Sequence, residues 1–119
     1  MGFVSVGAIA AMLGVILGAF GAHGLRKRVE ADAMAVYQTG VQYQLYHALA
    51  IIVIGEFLRA TSNGLLFTAE WFLVIGIVIF SGSLYALALT GIKRWGMITP
   101  LGGLSFIIGW ALLASAFVR

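Results

Sequence analysis

Phe3–Ala22 runs for twenty residues without a charged side chain, about 30 Å of helix at ~1.5 Å per residue, which is the thickness of a hydrocarbon core. Such a run is buried either in a large globule or in a bilayer. A chain of 119 residues that is 62% hydrophobic and 9% charged cannot coat a soluble surface, and its mean hydropathy is +1.08. The bilayer is therefore the expected solvent. In lipid every backbone N–H and C=O needs an internal partner, so runs of this length are expected as spanning helices.

Three more spans are expected at 40–58, 69–90 and 100–118. The first ends at Gly24, in position for a helix-terminating glycine, before Leu25-Arg26-Lys27-Arg28. Residues 29–39 mix Glu30 and Asp32 with Met34, Val36 and Tyr37, the pattern of a short amphipathic helix at the interface that continues into the second span. Thr61-Ser62-Asn63-Gly64 is turn chemistry joining antiparallel helices. Thr68 is positioned to cap the third span, with Glu70 in its first turn and Trp71 at headgroup level. Gly91 ends that span, and Thr99-Pro100 reads as an N-cap followed by proline at the first helical position, with Arg119 closing the fourth span. The expected fold is all-α: a single transmembrane domain forming an integral membrane four-helix bundle, with a short interfacial amphipathic helix before the second span.

The composition narrows the function. The chain has no cysteine, which removes disulfides, thiolate chemistry and cysteine-held clusters. The net charge of +3 comes from a few residues at segment ends, which act as topology signals and leave no nucleic-acid footprint. No cationic segment precedes the first apolar run, so it is read as a retained helix. Val6 stands where N-myristoylation needs Ser or Thr. Arg26, Lys27, Arg28, Lys93 and Arg94 fall on one side of the membrane, Arg59 and Arg119 on the other. That asymmetry places both termini outside the cytoplasm.

Two features could carry more than topology. Gly7, Ala11, Gly14, Gly18 and Gly21 form a smooth ridge along the first span, a helix-packing seam that lets another backbone approach. Tyr37–His47 then takes a polar sequence into the membrane. Thr39, Gln42, Tyr43, Tyr46 and His47 share one helical face, with Gln38 and Gln44 outside it. The partners within reach on other spans are His23, Ser81, Tyr85, Ser105 and Trp110. On this topology His23, His47, Tyr85 and Ser105 lie together in the cytoplasmic half. The leading reading is a polar centre that fixes helix packing and can admit a small ligand, lipid or proton. A small transporter or channel with His47 as titrating group is one alternative. A haem- or metal-binding electron carrier using His23 and His47 is another. No nucleophile elbow or third orienting residue marks an enzyme, and no cofactor is expected. Glu56 is expected to pair locally with Arg59 near a helix end.

Leu17-Gly-Ala-Phe-Gly-Ala-His-Gly-Leu25, the Tyr37–His47 block, Phe80-Ser-Gly-Ser-Leu-Tyr85 and Thr99-Pro-Leu-Gly-Gly-Leu-Ser-Phe106 with Gly109-Trp110 resemble the small four-helix membrane proteins of domain-of-unknown-function family 423. The resemblance covers nearly the whole chain. It implies four spans and a bacterial plasma (inner) membrane location, and it carries over no established activity or catalytic residue. The expected partners are membrane lipids, with no nucleic acid. The apolar surface left on four helices favours a homo-oligomer.

Overall fold

The computed structural model describes residues 2–118. Four helical rods cross a bundle whose long axis measures 48 Å, matching a bilayer with its headgroups at about 40–45 Å. Helix α1 is Phe3–His23, α2 is Ala31–Ala60, α3 is Gly64–Gly76, α4 is Gly82–Thr90 and α5 is Trp95–Phe117. A five-residue π-turn, Ile77–Ser81, joins α3 to α4, so Gly64–Thr90 forms one continuous third span. The chain is an all-α membrane bundle. Its broadest interfaces are α1 on α2 and α3 on α5, with α2 also against α3 and α4.

The element ends differ from the sequence expectation in four places, each for a local reason. Gly24 ends α1 at φ −120°, without a left-handed turn, and a 3-10 turn over Leu25–Lys27 follows. The amphipathic segment before the second span is the first part of α2 itself. At 30 residues and ~1.5 Å each this helix is about 45 Å long and outreaches the hydrocarbon core. Its apolar face, Met34 and Tyr37, packs on Leu25, Val41 and Ala88.

The third span starts at Gly64 because Asn63 caps it: Asn63 Oδ1 accepts from the N–H groups of Leu65 (2.8 Å) and Leu66 (3.3 Å). Thr68, expected as the cap, donates to the Gly64 carbonyl instead. That early start moves Glu70 out of the first turn and onto the buried face.

The fourth span starts at Trp95, through 3-10 bonds from Trp95, Gly96 and Met97 back to Ile92, Lys93 and Arg94. Pro100 thus lies inside α5, early enough that its missing N–H removes one bond near the helix end. The Thr99 hydroxyl bonds across to Ser83 and caps nothing. Arg119, read as the closing residue, lies outside the described residues. Gly91, at φ +70°, closes α4 in the left-handed conformation that glycine adopts at least cost. Glu56 and Arg59 form an exposed i, i+3 ion pair at 3.2 Å.

Bilayer depth follows from which residues meet. Gly14, at the middle of α1, faces Leu45 and Gln44 near the middle of α2; Gly76 faces Phe106 at the middle of α5. These residues mark the midplane. The π-turn lies at the same level, where α5 comes so close that a Cβ on Gly102 would stand 2.7 Å from Phe80 Cα. Backbone-on-backbone approach of this kind is the packing that small residues permit in lipid.

Gly102→Val is expected to lower thermal stability in detergent by about 3 kcal/mol or more, because the neighbour it strikes is main chain. Gly82→Ala, where a Cβ meets nothing within 4 Å, is expected to raise stability by about 0.5–1 kcal/mol. Paired melting curves check both.

Candidate polar centre and buried carboxyl

The glycines of α1 do more than admit a neighbour. Gly7 faces Ile52 and Ala48, Gly14 faces Leu45, Gly18 faces Val41 and Gly21 faces Tyr37, while Ala11 is half-buried on the same helix. In an α-helix the side chain at i+4 shields the carbonyl of residue i, so glycine at i+4 uncovers that oxygen. Gln44 Nε2 donates to the carbonyl of Ala10, four residues before Gly14, at 2.8 Å. Tyr37 OH donates to the carbonyl of Leu17, four before Gly21, at 2.5 Å. Ser105 Oγ donates to the carbonyl of Phe72, four before Gly76, at 2.7 Å. Three polar side chains therefore find acceptors on helices that offer no polar side chain at those points.

The remaining bonds close the centre. Tyr85 OH donates to Gln44 Oε1 at 2.6 Å, and Ser81 Oγ to the Gly40 carbonyl at 2.6 Å. His47 Nδ1 bonds the Tyr43 carbonyl at 2.7 Å, and its Nε2 accepts from Trp110 Nε1 at 3.0 Å. With one nitrogen facing a carbonyl and the other an N–H donor, the neutral Nδ1–H tautomer satisfies both. Phe106 stacks on the imidazole, centroids 3.6 Å apart and planes at 13°. Tyr43 lies beside it, against Phe80.

The expected polar face of α2 is split. His47 is buried and Tyr43 half-exposed, but Tyr46 and Gln42 point outward, and Thr39 bonds its own helix at the Ala35 carbonyl. Gln44, expected off this face, is buried at the centre of the network. It shares a stripe with Tyr37, Val41, Ala48 and Ile51, whose spacing in the sequence marks the truly buried side. His23 is exposed at the end of α1. Its neighbour Gly21 meets Tyr37, ten residues along α2 from His47 and so about 15 Å away. The two histidines cannot share one iron, and both nitrogens of His47 are already bonded. Among the described residues no three His, Cys, Asp or Glu side chains gather as a metal site. The expected grouping in one half of the bilayer is also revised: His47 and Ser105 lie at the midplane, and Tyr85 reaches back to it from further along.

One group stands outside this accounting. Glu70 is fully buried, and neither carboxyl oxygen has a hydrogen-bond partner among the described residues. Leu66 and Leu73, one turn to either side on α3, belong to the cluster of Ile51, Ile54 and Phe106. The signal for it was present in sequence: an acid with leucines that pack inward at i−4 and i+3. Nearby, a groove of about 700 Å³ opens at the bundle end that carries the N-terminus and the α2–α3 turn. Phe3, Phe67 and Trp71 form its aromatic wall, with Arg59 and Asn63 at the rim.

Four apolar spans closed around a hydrogen-bonded midplane define a small multi-pass membrane protein. The family model described as "Protein of unknown function (DUF423)" matches residues 17–103. The chain belongs to that family. It is 49% identical to the UPF0382 membrane protein YwdK of Bacillus subtilis (strain 168), over 98% of this chain and 96% of that one. It is 49% identical to the UPF0382 membrane protein SH2409 of Staphylococcus haemolyticus, covering 93% and 90%. To the UPF0382 inner membrane protein YgdD of Escherichia coli (strain K12) it is 43% identical, covering 94% and 86%. No solved structure matches.

The Tyr85–Gln44 bond can be isolated by a double-mutant cycle of Gln44→Leu and Tyr85→Phe. The expected coupling is about 0.6–1.7 kcal/mol, measured by unfolding in detergent.

Proposed function

We propose that this protein carries a proton on Glu70, while the hydrogen-bonded centre holds the helices in register. The observation that supports this is the Glu70 carboxyl, wholly enclosed and without a hydrogen-bond partner among the described residues. An unpaired charge in such surroundings costs several kcal/mol, so the enclosed group rests as the neutral acid and ionises only when water or a cation reaches it. Selection for stability alone would replace it with an apolar side chain. Phe67 and Trp71, three residues before and one after Glu70 on α3, line the groove beside it, while Glu70 itself faces the core.

His47 is the poorer carrier, because both its nitrogens are engaged. Ser81 is equally committed, to the Gly40 carbonyl, which argues against a nucleophile. The basic residues at the opposite end, Arg26, Lys27, Arg28, Lys93 and Arg94, support an orientation with that end in the cytoplasm. Both termini and the groove then face outward.

In proteoliposomes with an imposed pH gradient and a trapped pH-sensitive dye, the wild-type chain is expected to dissipate the gradient. Glu70→Gln is expected to slow this at least tenfold, with partial activity in Glu70→Asp. Wild-type flux equal to that of empty vesicles, or to that of Glu70→Gln, would overturn the proposal. Glu70→Leu is expected to raise stability in detergent by about 1–3 kcal/mol, the cost of the unsatisfied group.

A further inference from the structure

The outward half of the α2 face raises a question that the bundle does not answer. Gln42 and Tyr46 lie within one turn of the Gln44–Leu45 level that faces Gly14, and so at the midplane. Both are exposed, Tyr46 by 59%. The side-chain bonds along this stretch of α2 belong to Tyr37, Thr39, Gln44 and His47, and Gln42 and Tyr46 form none among the described residues. Exposed hydroxyls elsewhere on the spans are different. Thr68, Thr90 and Ser115 lie towards helix ends and bond the carbonyls of Gly64, Ala86 and Ala111 in their own helices.

Acyl chains offer no hydrogen bond to an amide or a phenol, and headgroups and water do not reach the midplane. The partner must therefore be another span. A primary amide donates and accepts at once, so Gln42 is self-complementary across a two-fold axis, and Tyr46 one turn away adds a second donor and acceptor. Ala35, Leu49 and Val53 continue the same exposed stripe, giving apolar packing on both sides of the polar pair. We propose that two copies of this chain pair through the outward face of α2, with Gln42 and Tyr46 of each bonded across the axis. This inference is independent of the role proposed for Glu70.

The chain has no cysteine, so single-cysteine variants report one position each. In native membranes under mild oxidant, Gln42→Cys and Tyr46→Cys are expected to yield a product of twice the chain mass. Val78→Cys, which is 67% exposed on the third span, is expected to yield none. In vesicles diluted with lipid, energy transfer between labelled copies should show Gln42→Leu/Tyr46→Phe dissociating about tenfold more readily, equivalent to roughly 1.4 kcal/mol. The melting curve of the monomer in detergent should be unchanged, since neither side chain bonds within the bundle. Equal cross-linking at position 78, a product of any other mass, or energy transfer unaffected by the double substitution would each overturn the proposal.

Discussion

Hydrocarbon offers no hydrogen bonds, and this fold is arranged around that fact. Every polar side chain at the midplane must find its partner in protein, yet α1 and α3 contribute almost no polar side chains there. The glycines resolve the shortage. By removing side chains at positions 14 and 76 at the midplane, and at 21 nearer the end of α1, the chain uncovers the carbonyls of Ala10, Phe72 and Leu17, and Gln44, Ser105 and Tyr37 bond to them. The same bare positions let the helices come close enough for these bonds to form. Packing and polar satisfaction thus share one set of residues, so neither can be altered without the other.

The four spans, the turns and the glycine seam were legible because they rest on composition and short-range chemistry. Helix starts were less legible where a tertiary preference or a stronger cap competed. Asn63 outranked Thr68, and a 3-10 entry from Ile92 set α5 going before Thr99-Pro100 could. The π-turn over Ile77–Ser81 left no sequence mark, since it arises where α5 closes on the third span at Gly102. The wheel over Tyr37–His47 misplaced the buried side because it grouped polar residues and ignored the apolar stripe that runs through Gln44. Partners at a distance, such as main-chain oxygens uncovered by glycine, are invisible when only side chains are counted.

That misplacement is informative. A polar stretch in a membrane helix need not face one way: here the inner half ties α2 to α1, α4 and α5, and Gln42 and Tyr46 on the outer half have no hydrogen-bond partner among the described residues. Among the described residues the buried side-chain oxygens left without a hydrogen-bond partner are those of Glu70. The π-turn begins seven residues beyond Glu70, where Gly102 of α5 meets Phe80, and such turns commonly mark functional positions.

The most direct measurement is the infrared spectrum of the protein in membranes, read in the carboxyl region. The account predicts the C=O band of a neutral acid free of hydrogen bonds, present at neutral pH and lost in Glu70→Gln. A spectrum showing only carboxylate bands, or a neutral-acid band that survives Glu70→Gln, would contradict it.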